Sequence, residues 1–219
     1  MITKFQDTAE SKLYVSGCLH LNHDPKWKMP LWKARGFLSS KEMTDDIING
    51  INKKCRKEDN LLVLGDFCLN TQFCEFLDLL DRINPKIWMI EGNHPNPWLK
   101  EYEKWSIEEF GHLALDVDWR GMRYMGHYIS LKWNNKSFVA NHYPFAVWDG
   151  CQNGVLSIHS HNHGSYTPSL PKSNVGGKQL DCGYDVHRAP LSFEEITLIM
   201  DNKDIEVRDH HDAGVRGGF

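Results

Sequence analysis

The chain has twelve histidines among 219 residues, and they fall in clusters. The densest cluster, His159-Ser160-His161-Asn162-His163, follows the run Val155-Leu156-Ser157-Ile158, which opens after Gly154. That run reads as a buried strand. On an extended backbone alternate side chains point the same way, so two or three of these imidazoles would face one point. Neutral imidazole is a common nitrogen ligand for transition metals. The segment alone therefore reads as a metal site, with a His-rich surface loop as the plain alternative.

Four other places end in side chains of the same chemistry. Leu13-Tyr14-Val15-Ser16 runs into Gly17-Cys18-Leu19-His20-Leu21-Asn22-His23. Asn60-Leu61-Leu62-Val63-Leu64 is apolar throughout its core, as a strand buried on both faces must be, and ends in Gly65-Asp66. Lys86-Ile87-Trp88-Met89-Ile90 ends in Glu91-Gly92-Asn93-His94-Pro95, and Lys136 to Ala140 ends in Asn141-His142-Tyr143-Pro144. Singly, each has a bland reading: loop histidines at His20 and His23, or an Asp66 that caps the next helix. Together they form a βαβαβ pattern that argues for a parallel sheet with a site along the carboxyl ends of its strands.

The elements that must position these residues can be read from pattern and punctuation. Ser39-Ser40-Lys41-Glu42 is a capping box that opens a helix through about Lys54, with Met43, Ile47, Ile48 and Ile51 as its apolar stripe. A second helix is expected from Thr71 to Ile83, with Phe73, Phe76, Leu77 and Leu80 facing inward, and helix and loop from Pro97 to Phe110. Leu113 to Val117, Arg123 to Ile129 and Lys136 to Ala140 are expected as antiparallel strands, with Asn134-Asn135 as a turn between the last two. Gln179 to Gly183 is expected as a short strand with a turn. Ser192-Phe193-Glu194-Glu195 caps a last helix to about Met200. One strand-like stretch with Ile205 and Val207 follows, then a Gly-rich tail expected to fray from about residue 209. Asp24 to Phe37 carries Trp27, Trp32, Arg35 and Phe37, and reads either as one wall of a substrate cleft or as structural packing.

Hydrophobic residues make up 41% and charged residues 25%, the balance of a globular chain, and no repeat or linker divides residues 1–219 into more than one domain. The net charge of −4 does not favour a broad nucleic-acid surface. Six cysteines with no C-x-x-C pair, and a polar Met1–Lys12, predict reduced thiols in a cytoplasm. No apolar run approaches the ~20 residues that cross a bilayer.

Taken in order, Cys18-Leu19-His20, Gly65-Asp66, Gly92-Asn93-His94, His142 and His161-Asn162-His163 resemble the five motif blocks of calcineurin-like metallophosphoesterases. Those blocks usually read D-x-H, G-D, G-N-H-D/E, H and G-H-x-H. Gly183-Tyr184-Asp185-Val186 and Pro190-Leu191-Ser192 also look like the closing stretch of small single-domain members, common in phages and bacteria. The resemblance implies an α/β (α+β) fold, a four-layer α/β/β/α sandwich with mixed sheets. It implies two divalent transition-metal ions (Mn, Fe, Zn, Ni or Co), with Asp66 bridging them. His20 and His163 would hold the first ion, with Cys18 where the family has aspartate. Asn93, His142 and His161 would hold the second. His94 would assist the leaving group, and His23 and Arg35 are expected to meet the substrate.

The implied activity is hydrolysis of small phosphate esters, as a phosphodiesterase or phosphatase on substrates such as cyclic or mononucleotides. The alternatives are a metal-binding scaffold weakened by Cys18 and a nuclease of phage nucleic-acid metabolism. Three positions depart from the family pattern. Cys18 is a softer donor than aspartate, so it favours Zn or Fe over Mg or Mn. Pro95 removes an acidic neighbour of the site. Ser160 stands where the last block has Gly.

Overall fold

The computed structural model describes residues 2–25, 29–165 and 177–205. In chain order its strands are β1 (Ile2–Phe5), β2 (Leu13–Ser16), β3 (Asn60–Leu64), β4 (Lys86–Ile90), β5 (Asp118–Trp119), β6 (Met122–Tyr124), β7 (Tyr128–Trp133), β8 (Lys136–Asn141), β9 (Leu156–His159), β10 (Gln179–Asp181) and β11 (Leu191–Ser192). The helices are α1 (Leu31–Ala34), α2 (Ser40–Lys54), α3 (Phe73–Asp81), α4 (Leu99–Phe110), α5 (Tyr184–His187) and α6 (Phe193–Asp201). The fold is α/β, with two mixed sheets. One runs β11-β2-β3-β4-β6-β5, parallel from β2 to β6 with an antiparallel strand at each edge. The other runs β1-β7-β8-β9-β10, with β7–β8 as its antiparallel pair.

Pleating explains why the central strands are apolar on every residue. Tyr14, Leu61, Val63, Ile87 and Met89 face a cluster shared with Met43, Ile47 and Ile51 of α2, Phe76 of α3 and Tyr102 of α4. Their neighbours Leu13, Val15, Leu62, Leu64, Trp88 and Ile90 face the second sheet, against Ile129, Leu131, Phe138, Ala140, Leu156 and Ile158. A third, small cluster of Val139, Trp148 and Cys151 lies apart from both. Burying each of these large side chains stabilises the fold by ~2 kcal/mol. The parallel strands β2, β3 and β4 are thereby fixed along their length, and their loops all emerge at one edge.

Helix α2 starts where the capping signal places it: the Ser39 side chain accepts from the Glu42 N–H. Its returning carboxylate takes the Leu38 N–H. The Ser192–Glu195 box closes in both directions. Helix α3 begins later than expected, capped by a Gln72–Glu75 box, and buries Phe76 and Leu79 while Phe73, Leu77 and Leu80 are half-buried.

The region 113–129 differs from the antiparallel expectation. Leu113–Val117 is not a strand: α4 takes both backbone groups of Ala114, Ser106 Oγ accepting its N–H and Tyr102 donating to its carbonyl, while the Asp116 N–H donates to the Tyr124 carbonyl. Arg123–Ile129 is two strands in different sheets. β6 pairs parallel with β4, the chain turns at Gly126 (φ 75°), and β7 enters the other sheet. Asn134 and Asn135, both at positive φ (45° and 66°), make the tight β7–β8 turn as expected. Trp27, Val207 and the tail from 209 lie outside the described residues. Among the described residues no helix is long and apolar enough to cross a membrane.

Candidate metal centre

The loops after β2 and β3 keep pairing beyond the strands. Cys18 N–H donates to the Gly65 carbonyl, and His20 N–H to the Asp66 carbonyl (3.1 and 2.9 Å). Two glycines permit what comes next. A Cβ on Gly92 would collide with the Asp66 carboxylate and backbone, and one on Gly65 would meet the His142 ring. Five candidate ligands sit at left-handed φ: Cys18 (49°), His20 (52°), Asp66 (51°), His161 (66°) and His163 (50°). For non-glycine residues this costs on the order of 1 kcal/mol each, and such strain gathers at functional sites.

One pocket is formed by Asn93, His142 and His161, hereafter the second pocket. Asn93 Oδ1 is 2.8 Å from His142 Nε2, and His161 Nδ1 is 3.0 Å from both. These are the separations of neighbouring donors around an ion with ligand distances near ~2.1 Å. His142 Nδ1–H donates to the Leu64 carbonyl at 2.8 Å, which leaves Nε2 as a lone pair in the neutral ring. That lone pair faces Asn93 Oδ1 and, at 3.3 Å, Asp66 Oδ2. One proton on His161 cannot serve three crowded acceptors; a cation does. Burial pushes the His161 imidazole down from its usual pKa, and His142 adds to the effect, so it too is a neutral donor.

The other, first pocket holds Cys18, His20 and His163, whose donor atoms lie within 4.8 Å of one another. His20 is buried, and neither ring nitrogen has a hydrogen-bond partner among the described residues. Burial drives its pKa down to about 3, so it is a neutral base with nothing to bond. An orphaned buried imidazole facing a thiol and a second imidazole fits a soft transition-metal ion. The Cys18 thiol is fully buried, which pushes its pKa up to about 12, with the Ser160 contact working against the rise. Its Sγ accepts from the His161 N–H at 3.0 Å and lies 3.4 Å from Ser160 Oγ.

Asp66 stands between the pockets. Donor atoms of Asp66 group with Cys18 and His142 on one side, and with His20 and His94 on the other. Its Oδ1 accepts from the His94 N–H at 3.1 Å. Burial would raise this carboxyl, but the contact with His142, the neighbouring His20 and the His94 N–H hold it down at about 2. It caps no helix, since Gln72 fills that role for α3. The His94 ring sits edge-on to His20, 5.4 Å between centroids.

The alternating-histidine expectation fails in its geometry. β9 ends at His159, which remains a buried strand residue on the face opposite Ile158, its pKa lowered to about 3 by burial. His161 and His163 reach the site from left-handed turns, not from an extended backbone. Arg35, expected to meet the substrate, is turned inward. Its side chain is 1% exposed and is bound to Asp185 and to the Cys18 and Leu19 carbonyls. His23 lies near the site, 6.0 Å ring to ring from His20, with Nδ1 accepting from the Leu31 N–H at the start of α1. Its remaining nitrogen, Nε2, therefore carries the proton in the neutral ring. Sequence reasoning gave Asp185 no role, yet its Oδ2 is 2.5 Å from His163 Nδ1. The available signal was a carboxylate inside Gly183-Tyr184-Asp185-Val186.

Comparison with known proteins leaves the activity open. No protein-family model matches the chain, and no curated protein matches it. A solved structure does: a protein of unknown function, AQ665 from Aquifex aeolicus, superposes with a TM-score of 0.58 at 18% identity, covering 86% of this chain and 99% of that one. At that identity the likeness shows the fold alone.

Proposed function

We propose that the chain is a metal-dependent phosphoesterase of the calcineurin-like type, hydrolysing small phosphate esters. The observation that carries this reading is the pair of donor pockets on either side of the buried Asp66 carboxylate, one of them with acceptor atoms 2.8 Å apart. Cys18, His20, His163 and Asp66 would hold one divalent ion, and Asp66, Asn93, His142 and His161 the other. Such a pair of ions supplies charge neutralisation at the phosphoryl group and lowers the pKa of water, so that a nucleophile exists near neutral pH.

The chain's own residues do the rest. Asp66, fixed by the His94 N–H, would offset the charge of both ions with one carboxylate. The neutral amide of Asn93 adds a donor without adding charge. His94 stands over His20 at the outer side, placed to donate a proton to the departing oxygen. His23 Nε2–H is placed to donate to a phosphoryl oxygen. A cleft of about 550 Å³ is lined by Asn70, Gln72, Asn96, Lys100 and Pro95, the residue that follows His94 in the chain. Pro95, a departure from the family pattern, forms part of that wall. The finer architecture we propose for the two packed sheets is the four-layer metallophosphoesterase sandwich.

A second reading rests on Cys18. A fully buried thiol that already accepts an N–H from His161 favours a scaffold with one weakened ion pocket. Element analysis of the purified full chain, followed by mono- and diester chromogenic substrates with Mn, Fe, Zn, Ni and Co, separates the readings. Two ions with turnover supports the enzyme. One ion without turnover supports the scaffold, and no bound metal defeats both.

A further inference from the structure

We propose that Arg35 and Asp185 are positioning residues of the first pocket, Asp185 fixing the tautomer of His163 while Arg35 holds the curled Cys18–His20 backbone to it. The inference rests on the two-pocket reading above. Arg35 follows α1 immediately, and its guanidinium is committed in every direction. Nε donates to Asp185 Oδ1 at 2.9 Å and Nη2 to Asp185 Oδ2 at 2.7 Å. Nη2 also donates to the Cys18 carbonyl and Nη1 to the Leu19 carbonyl, each at 2.8 Å. The face of the group lies 4.9 Å from the Tyr184 ring. Only a planar fork with several donors can span a carboxylate and two successive carbonyls; a lysine ammonium cannot.

Those two carbonyls belong to the stretch in which Cys18 and His20 adopt left-handed φ. A strained loop persists only where its surroundings over-determine it. Arg35 supplies two of the bonds that do so, and the pairing with Gly65 and Asp66 supplies two more. On the other side Asp185 Oδ2 lies 2.5 Å from His163 Nδ1. A neutral imidazole that donates from Nδ1 keeps its lone pair on Nε2. That ring stacks on His20, 5.1 Å between centroids and 16° between planes. Segments around residues 18, 35, 163 and 185 thus meet in one hydrogen-bonded chain, and both its ends are donors of the same pocket. A carboxylate behind a metal-ligating histidine fixes ring orientation and raises ligand basicity, and removing it costs roughly 10–100-fold in affinity.

The test is a zinc titration of the full chain against a chromophoric chelator, for wild type, Asp185→Asn and Arg35→Lys. Alongside it, histidine ¹⁵N shifts of the metal-free wild type report the His163 tautomer. Both variants should weaken one ion by about 10–100-fold and leave the other within about twofold. The wild type should show His163 protonated at Nδ1. Unchanged affinity for both ions overturns the proposal. So does equal weakening of both ions in step with a lower Tm of the metal-free protein, the signature of a merely structural ion pair. Should the variants fail to fold, protonation of His163 at Nε2 in wild type is enough to overturn it. A wild type that binds no zinc defeats the two-pocket reading instead, while the tautomer measurement still decides the Asp185 contact.

Discussion

The two pockets are made in opposite ways. The second is held from within: His142 is the residue after β8, its ring is tied to a carbonyl of β3, and Asn93 and His161 close on it at 2.8 and 3.0 Å. The first is held from outside. Cys18, His20 and His163 all come from left-handed loop positions, where the second pocket has His161 alone at such a φ; the His20 ring has no hydrogen-bond partner among the described residues, and the Arg35–Asp185 pair braces the pocket from behind. A donor set tied to a strand end, as His142 is to the Leu64 carbonyl, inherits some of the rigidity of the core. One built on loops needs added fixings, and its donor chemistry is freer to vary. Cys18 and Ser160, two departures from the motifs the chain resembles, touch each other, and Ser160 Oγ also lies 3.3 Å from His142 Nδ1 of the second pocket.

The strongest way to break this contrast is at the shared carboxylate. Asp66→Asn removes the carboxylate that stands between the two pockets. It should lower occupancy of both ions and cut turnover by more than about a hundredfold, the scale on which loss of a preorganised charged group is felt. Element analysis with ester assays reads both effects. Retention of two ions and full activity would mean that the pockets are not bridged there. His142→Ala should be asymmetric instead, emptying the second pocket while Cys18, His20 and His163 keep their ion. Loss of both ions would show that the first pocket is not independently braced.

Acid should destabilise the metal-free protein through its buried histidines. His20 and His159 have pKa values lowered to about 3 by burial, against about 6.5 for an unfolded chain. Between those values the unfolded state binds more protons, so stability rises with pH there and is lost as pH falls from about 6.5 to about 3. Asp66, lowered to about 2, contributes stability above the ordinary carboxylate range that is lost as pH falls through about 2. Urea unfolding from pH 7 to pH 3 should therefore show a steady decline, and His20→Asn should flatten it by up to ~1.4 kcal/mol per pH unit. No change of slope in that variant would place the His20 titration outside the buried pocket.

The strand ends were legible because chemistry and punctuation coincide there. A run such as Leu61-Leu62-Val63-Leu64 closing on Gly65-Asp66 announces a buried strand and a side chain released at its end. The capping residues Ser39 and Ser192 were equally plain, since their hydrogen bonds are local. The direction of a side chain outside regular structure was not legible. Alternation placed His159, His161 and His163 together, but the strand ends one residue before Ser160 and left-handed turns set the last two. Arg35 read as a substrate contact because its aromatic-rich loop could form a cleft wall, with structural packing as the alternative. Its partners, Asp185 and the Cys18 and Leu19 carbonyls, are tertiary and leave no local trace. Leu113–Val117 failed for the same reason, the backbone groups of Ala114 being taken by Ser106 and Tyr102 of the preceding helix.

The finest test of the contrast concerns two departures that touch. Cys18 Sγ lies 3.4 Å from Ser160 Oγ, and that hydroxyl also donates to the Leu64 carbonyl. A Cβ on Gly17 would sit 2.7 Å from Ser160, so the serine already fills the space beside the thiol. Cys18→Asp puts a harder donor in the first pocket and should move its preference from Zn towards Mn while activity with Mn is kept or rises. Ser160→Gly alone removes a hydroxyl that both the thiol and the strand use, and should change activity only severalfold. Because the two side chains are in contact, their effects should not add. The double variant should differ from the sum of the singles by about 0.5–1 kcal/mol in Mn affinity, read from a four-corner titration. Strict additivity would mean that Ser160 only packs the β3 end, and that the thiol was accommodated in the first pocket without it.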